Sequence, residues 1–248
     1  MAPLRGPRFS LIEVGASLVI LIVVLAVLLP GLESARLASE KQRCADNLRQ
    51  IGSGWSLYLG EHEQAFPYLP VQPEWFWGGM RFAPGSGAPF PDANRPLNTY
   101  VNIWSSEDGR QPRCVFESPA DRGIHGETAG IGTGRRTVFE AFGTSYRANP
   151  FLFDAKWIEG LESARGLSIA ELAPLHRRIL LLGSPIWFET YEETGRDADW
   201  YGDPSRGNLL LLDGSVSFAP VFARSRVGPV LVQPPLRHAG ESGPVDSP

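Results

Sequence analysis

Residues 9–29 read FSLIEVGASLVILIVVLAVLL, 21 consecutive positions at which the single charge is Glu13. At about 1.5 Å of rise per residue, a helix of this run is as long as the hydrocarbon core of a bilayer is thick. Arg5, Arg8 and the N-terminal amine precede it. An excess of cations on that side keeps the N-terminus in the cytoplasm and exports the remainder. A cleaved secretory signal has a shorter apolar core, about 7–15 residues, closed by a site of small residues. Here the run ends in LLPG at 28–31, so the anchor is expected to stay in the mature protein. Glu13 has two readings. A carboxylate within an apolar helix marks a function or a specific partner, or it sits one turn into the helix at headgroup depth, solvated.

Outward from the anchor, residues 31–63 continue as an amphipathic stem. Ala38, Ala45, Leu48, Ile51, Trp55, Tyr58 and Leu59 recur mostly at spacings of three and four, the period of one helix face. Glu33, Arg36, Glu40, Lys41, Arg43, Asp46 and Arg49 form the expected wet face. Such a stripe must be buried on something. Gly52 and Gly54 weaken the helix and imply close packing or a local bend. The helix is expected to end before Phe66 and Pro67.

The division that follows is a short cytoplasmic leader (1–8), a transmembrane helix (9–30), the stem (31–63), a globular head (64–222) and a Pro/Gly-rich tail (223–248). Residues 67–98 are rich in Pro, Gly and aromatics and read as a long ordered loop pinned by its rings. Residues 138–153 hold short strand-like stretches, 161–176 a short helix with Leu161, Leu167, Leu172 and Leu175, and 178–188 a buried strand centred on 179–182. In NLLLLDGSVSF at 208–218, Asp213-Gly214 between apolar and alternating runs is a two-residue hairpin signal, with both turn positions wanting positive φ. The tail holds little periodicity and is expected to be extended or disordered. The fold class is α+β: one long helix on an antiparallel sheet.

Two resemblances bear on these segments. FSLIE at 9–13 resembles the start of mature type IV pilins and type II secretion pseudopilins, which carry a prepilin-type N-terminal cleavage and methylation motif. The resemblance implies that a prepilin peptidase cuts between Arg8 and Phe9 and methylates the new amine, and that Glu13 pairs with the Phe9 amine of a neighbouring subunit during assembly. Pro30, at position 22 counted from Phe9, falls where the family often has a helix-kinking proline. The residue before the cut is Arg8 where the family has Gly; Gly6 lies two residues further back and is followed by Pro7. That departure puts the cut, and with it the Phe9 amine, in question. Residues 44–52 (CADNLRQIG), 95–100 (RPLNTY) and 115–121 (VFESPAD) resemble segments of a bacterial pilin-like family that closes with H-x9-D-G. Cys44, Asn47, Asn208, Asp213 and Gly214 match that family, Ser118 replaces a Cys, and Asp203 stands in the place of the His. The coverage runs in patches from about Phe9 to Phe218.

A net charge of −4 argues against a general nucleic-acid binder, while 43% apolar and 20% charged residues fit a folded chain. Cys44 and Cys114 are too few for a disulfide scaffold or a zinc site; they either pair once or remain free thiols. His62, His125, His176 and His238 have no ligand spacing, no nucleophile elbow occurs, and the glycines at 130, 132 and 134 lack a phosphate-loop Lys. No enzyme and no cofactor is therefore expected. Asp197, Asp199 and Asp203 crowd one loop and are weak calcium candidates, as against a solvated acidic loop, the default; calcium sites in the C-terminal loops of major pseudopilins add interest to them. Trp75, Trp77, Trp200 and Tyr201 are read as core or loop anchors before a partner platform.

Two functional expectations remain. One is a pilin-like subunit, single-pass in the inner membrane with a periplasmic or extracellular head, that assembles with itself or with other pilin-like subunits, after a prepilin peptidase has acted, into an envelope filament for type II protein secretion, adhesion or a related envelope process. The other is a membrane-tethered binding module that never polymerises.

Overall fold

The structure, a computed structural model, describes residues 11–82, 89–105, 113–124, 137–158, 164–172, 178–194, 199–222 and 230–233. Anchor and stem are one helix, α1 (Leu11–Glu61), with Pro30 inside it. Proline removes the N–H that would bond the carbonyl of Ala26. Just beyond, the Ser34 hydroxyl donates to the Gly31 carbonyl at 3.0 Å. Two compact units divide at Ser39 and Glu40, so the part of α1 from Glu40 onward is compact with the residues that follow it. In the first unit the described apolar side chains, Leu18, Ile20, Leu25 and Leu29 among them, are exposed. That helix is long and apolar enough to cross a membrane.

In the second unit the stripe of α1 is the wall of the main core: Cys44, Leu48, Ile51, Trp55, Tyr58 and Leu59 are all buried. Two residues depart from the expected faces. Ala38 is exposed, because it precedes the packed stretch. Glu40 is buried against Arg122, whose guanidinium lies 3.4 Å away. Gly52 and Gly54 serve close packing: a side chain at 52 would press on Leu210, and one at 54 would collide with Val101. Trp55 sits among Tyr58, Phe66, Trp77 and Phe153 with ring centroids 5.3–6.2 Å apart.

Against α1 lies an antiparallel four-stranded sheet in the order β5 (Arg147–Ala148), β6 (Leu180–Gly183), β7 (Arg206–Leu211), β8 (Val216–Pro220). Leu182 and Leu210 join the core that α1 walls, while Leu180, Leu209 and Leu211 pack on the other side with Trp187, Tyr191 and Val221. Burial on both faces explains why 209–212 is a continuous apolar run. The hairpin exists, but its turn holds three residues. Leu211 N–H bonds the Ser215 carbonyl, and Gly214 takes φ +83 while Asp213 is not left-handed. One glycine in the last turn position is the pattern of a three-residue hairpin with a bulge.

The aromatic loop is pinned as expected, with Trp75 and Trp77 buried, and it also carries a small ladder of β1 (Met80–Phe82) and β2 (Pro89–Pro91). A second ladder pairs β3 (Trp104–Ser105) with β4 (Arg113–Cys114). Residues 138–153 are mostly helical: α2 (Val138–Phe142) and α3 (Pro150–Phe153) flank β5. Thr137 and Glu140 cap each other reciprocally and Gly143 ends α2 in the left-handed region. These cap signals override the β-rich composition of Val138 and Phe139. The helix expected over 161–176 reduces to α4 (Ile169–Leu172) among the described residues, and the strand β6 gives way to α5 (Ile186–Tyr191) after Gly183. The expected tail is not wholly loose. Val230, Leu231 and Val232 are buried, and Leu231 bridges Ile179 in parallel.

Glu171 provides an electrostatic tie within this unit. Its carboxylate pairs with the Arg165 guanidinium and accepts from Ser168 N–H at 2.8 Å and the Ser168 hydroxyl at 2.9 Å. Arg165 first, then Ser168, holds its carboxyl down at about 2. A depressed carboxylate stabilises the fold above its unfolded titration range, and that contribution is lost as pH falls through the folded value. The pair is partly exposed and screened by solvent, so Glu171→Gln is expected to cost about 1 kcal/mol or less at pH 7. The difference between wild type and variant should shrink between pH 5 and 2, read by urea denaturation of the full chain in detergent.

Candidate functional site

The motif segments converge on a buried polar junction inside the second unit. From α1, the Cys44 thiol accepts from the Tyr201 hydroxyl at 2.9 Å, and Asn47 Nδ2 donates to the Glu117 carbonyl at 3.0 Å and the Tyr146 hydroxyl at 3.1 Å. From β7, Asn208 Nδ2 donates to the Lys41 carbonyl at 2.8 Å, tying the strand to the helix backbone. The Asn208 and Ser118 side chains also reach the Cys44 thiol. Ser118 and Asp121 lie in the segment that follows β4. Asp121 accepts from the amides of Gly123, Val138 and Phe139 at 2.9–3.0 Å and from the Ser145 hydroxyl at 2.6 Å, filling the orphan donors at the start of α2.

The electrostatics of the junction are those of a lock. Burial pushes the Cys44 thiol up, opposed by its hydrogen bonds from Tyr201, Asn208, Ser118 and Tyr146. Burial likewise drives the Tyr146 and Tyr201 hydroxyls well above their ordinary range, and it raises Asp121 against the four donors that pull it down. A thiol kept protonated is a poor nucleophile and a poor metal ligand. Cys44 and Cys114 are both free and buried. Among the described residues no group of three or more His, Cys, Asp or Glu could hold a metal ion.

The other motif positions serve the loop. Arg95 is buried, and its guanidinium donates to the carbonyls of Gly78 at 2.6 Å, Phe142 at 2.7 Å and Trp75 at 3.2 Å. Asn98 brackets Gly79 from both sides at 2.8 Å, and the Tyr100 hydroxyl donates to Glu61 at 2.7 Å. These ties were not expected, although an Arg and an Asn inside an apolar, proline-rich stretch signal buried donors in search of carbonyls.

The remaining candidates fall elsewhere. Asp203 is apart from the junction. Its carboxylate accepts from Ser205 N–H at 2.9 Å and the Ser205 hydroxyl at 2.7 Å, a turn leading into β7, and Ser205 holds its carboxyl down. Asp213 makes the same turn with Ser215 beside Gly214. Of the calcium candidates, Asp197 lies outside the described residues, Asp203 is engaged with Ser205, and the Asp199 carbonyl accepts from Arg122 at 3.4 Å. Trp200 and Tyr201 are buried, with the Trp200 indole donating to the Gly123 carbonyl at 3.0 Å. Toward the N-terminus, Arg8 and Phe9 lie outside the described residues, Glu13 is exposed on α1, and Pro30 continues the helix. The chain matches no protein-family model, no curated protein and no solved structure.

Proposed function

We propose that the chain is a pilin-like subunit whose N-terminal helix inserts in the inner membrane and packs with its counterparts into an envelope filament, with the head outside the cytoplasm and protein secretion as one task it fits. The observation that carries this reading is the double use of α1. One uninterrupted helix of 51 residues exposes an apolar surface before Ser39 and buries its later stripe in the head. Helix packing in lipid would cover the first part, and the lone carboxylate fits assembly by charge. Among packed apolar helices a carboxylate costs several kcal/mol unless a cation meets it, and the Phe9 amine of a neighbour is that cation once the leader is removed. The single-pass binding module is favoured by a different observation, Arg8 at the position before the cut.

The two readings separate at the N-terminus. Co-expression with a prepilin peptidase followed by mass spectrometry of the N-terminal peptide is expected to show little processing of the wild type and full processing of Arg8→Gly if Arg8 obstructs the peptidase. Complete cutting of the wild type at Phe9 removes the objection. In the processed chain, Glu13→Gln should leave membrane insertion intact and reduce subunit crosslinking by about tenfold or more, the effect of losing a desolvated ion pair. Glu13→Val should insert even more readily and assemble as poorly. Crosslinking of both variants at the wild-type level would make the tethered module the better account.

A further inference from the structure

A cleft of about 580 Å³ opens in the head between the β1–β2 ladder and the end of α2, lined among others by Gln72, Phe76, Arg81, Asp92, Arg95 and Phe142. The volume is that of a small-molecule site. Its floor is built rather than incidental. Phe142 stacks on the buried Trp75, with ring centroids 4.3 Å apart and planes 5° from parallel. The Arg95 guanidinium lies 5.2 Å from the Phe76 ring centre, and 37% of Phe76 remains exposed.

The charges in the cleft do not balance. Among the described residues that line it, Arg81 and Arg95 face one carboxylate, that of Asp92, which stands 3.7 Å from Arg95 Nε. The terminal nitrogens of Arg95 are committed to three carbonyls, and its buried Nε makes no hydrogen bond. Burial first, and then the like charge of Arg81, lowers Arg95 to about 10 against the pull of Asp92. A desolvated cation beside a second cation is an unfavourable arrangement that a monoanion relieves. A dianion would overcompensate the one excess charge.

We propose that this cleft binds a small organic monocarboxylate, its carboxylate held at Arg81 and near Arg95 and its flat apolar body laid against Phe76 and Phe142. Arg81, exposed on β1, supplies a fork of donors that suits a carboxylate bidentately. The rings supply the area that makes a small ligand bind at all. The site does not depend on whether the subunit polymerises.

The test uses the full chain in neutral detergent, with indole-3-acetate as probe and its uncharged isostere indole-3-acetamide as reference, followed by saturation-transfer NMR titration. Wild type is expected to bind the acid about tenfold tighter than the amide, the size of a charge-assisted hydrogen bond. Arg81→Gln should bring the two within about twofold while the thermal midpoint stays put, since Arg81 is a surface side chain. Phe76→Ser should weaken both compounds together and keep the preference for the acid. Equal binding of acid and amide to wild type, a preference that survives Arg81→Gln, no binding of either, or displacement of the acid by inorganic phosphate but not by acetate would each overturn the proposal.

Discussion

Gly143→Ala is expected to lower the stability of the head by about 3–5 kcal/mol, combining a left-handed penalty, a backbone collision and a lost hydrogen bond. Gly143 sits at φ +79 as the residue that ends α2. A Cβ built there falls on the carbonyl of Met80, which is main chain and cannot swing aside. The same glycine accepts the Met80 N–H at 2.8 Å, so retreat of either segment breaks the tie that holds β1 to α2. The measurement is the urea midpoint of the full chain in detergent, followed by tryptophan fluorescence. Gly60→Ala is the control: a side chain there meets nothing within 4 Å on the exposed last turn of α1. It should stabilise by about 0.5–1 kcal/mol. Equal midpoints for Gly143→Ala and wild type would show that α2 and β1 do not approach as described.

Ending the chain after residue 229 should cost a similar amount, about 3–5 kcal/mol after the ordering entropy of the lost residues is set against their burial. Val230, Leu231 and Val232 are each nine-tenths or more buried. Leu231 exchanges backbone bonds of 2.8 Å with Arg178 and Leu180, so its removal strips the outer edge of β6 next to its first residue. The Val232 carbonyl accepts from Asn149 Nδ2 at 2.7 Å, and Asn149 is fully buried; truncation takes away one of the two carbonyls that its Nδ2 meets and leaves that of Leu180 at 2.9 Å. The truncated chain should unfold at lower urea and be cut faster by protease in the head. An unchanged midpoint would mean that 230–232 adds nothing to the sheet.

These two sites show what the sequence could and could not announce. The long apolar helix, the stem stripe from Cys44 to Leu59 and the hairpin around Gly214 were legible because each follows a local period or turn rule that needs no distant partner. The helical turns at 138–142 and 150–153 were not, since a helix of four or five residues is decided by its caps while its composition says strand. The packing of 230–232 was hidden by the prolines and glycines around it, because three apolar residues give no periodicity and their partner, Ile179, is 52 positions away. Helical spacing places Glu40 on the wet face; only the fold brings Arg122 to meet it. At the candidate junction, Cys44, Asn47 and Asn208 were marked by resemblance, yet Tyr146 and Tyr201, which complete it, carry no spacing signal. Asp203 was marked in the same way, and the fold uses it in a surface turn instead.

The burial of the two thiols turns the chain into its own clock for local opening. A thiol reagent reacts with thiolate and needs access, and both cysteines are enclosed while burial holds them protonated, Cys114 as high as about 12. Modification therefore proceeds only through transient exposure, and its rate reports how often that exposure happens. Cys114 sits at the rim of the main core, in the two-residue ladder of β3 and β4, a pairing far shorter than the packing that encloses Cys44. Cys44 is released only when α1 parts from β7 and the Tyr201 segment. Slow reagent uptake at Cys44 and faster uptake at Cys114 would thus time two different events within one molecule, the fraying of a short ladder and the detachment of α1 from the sheet it packs on.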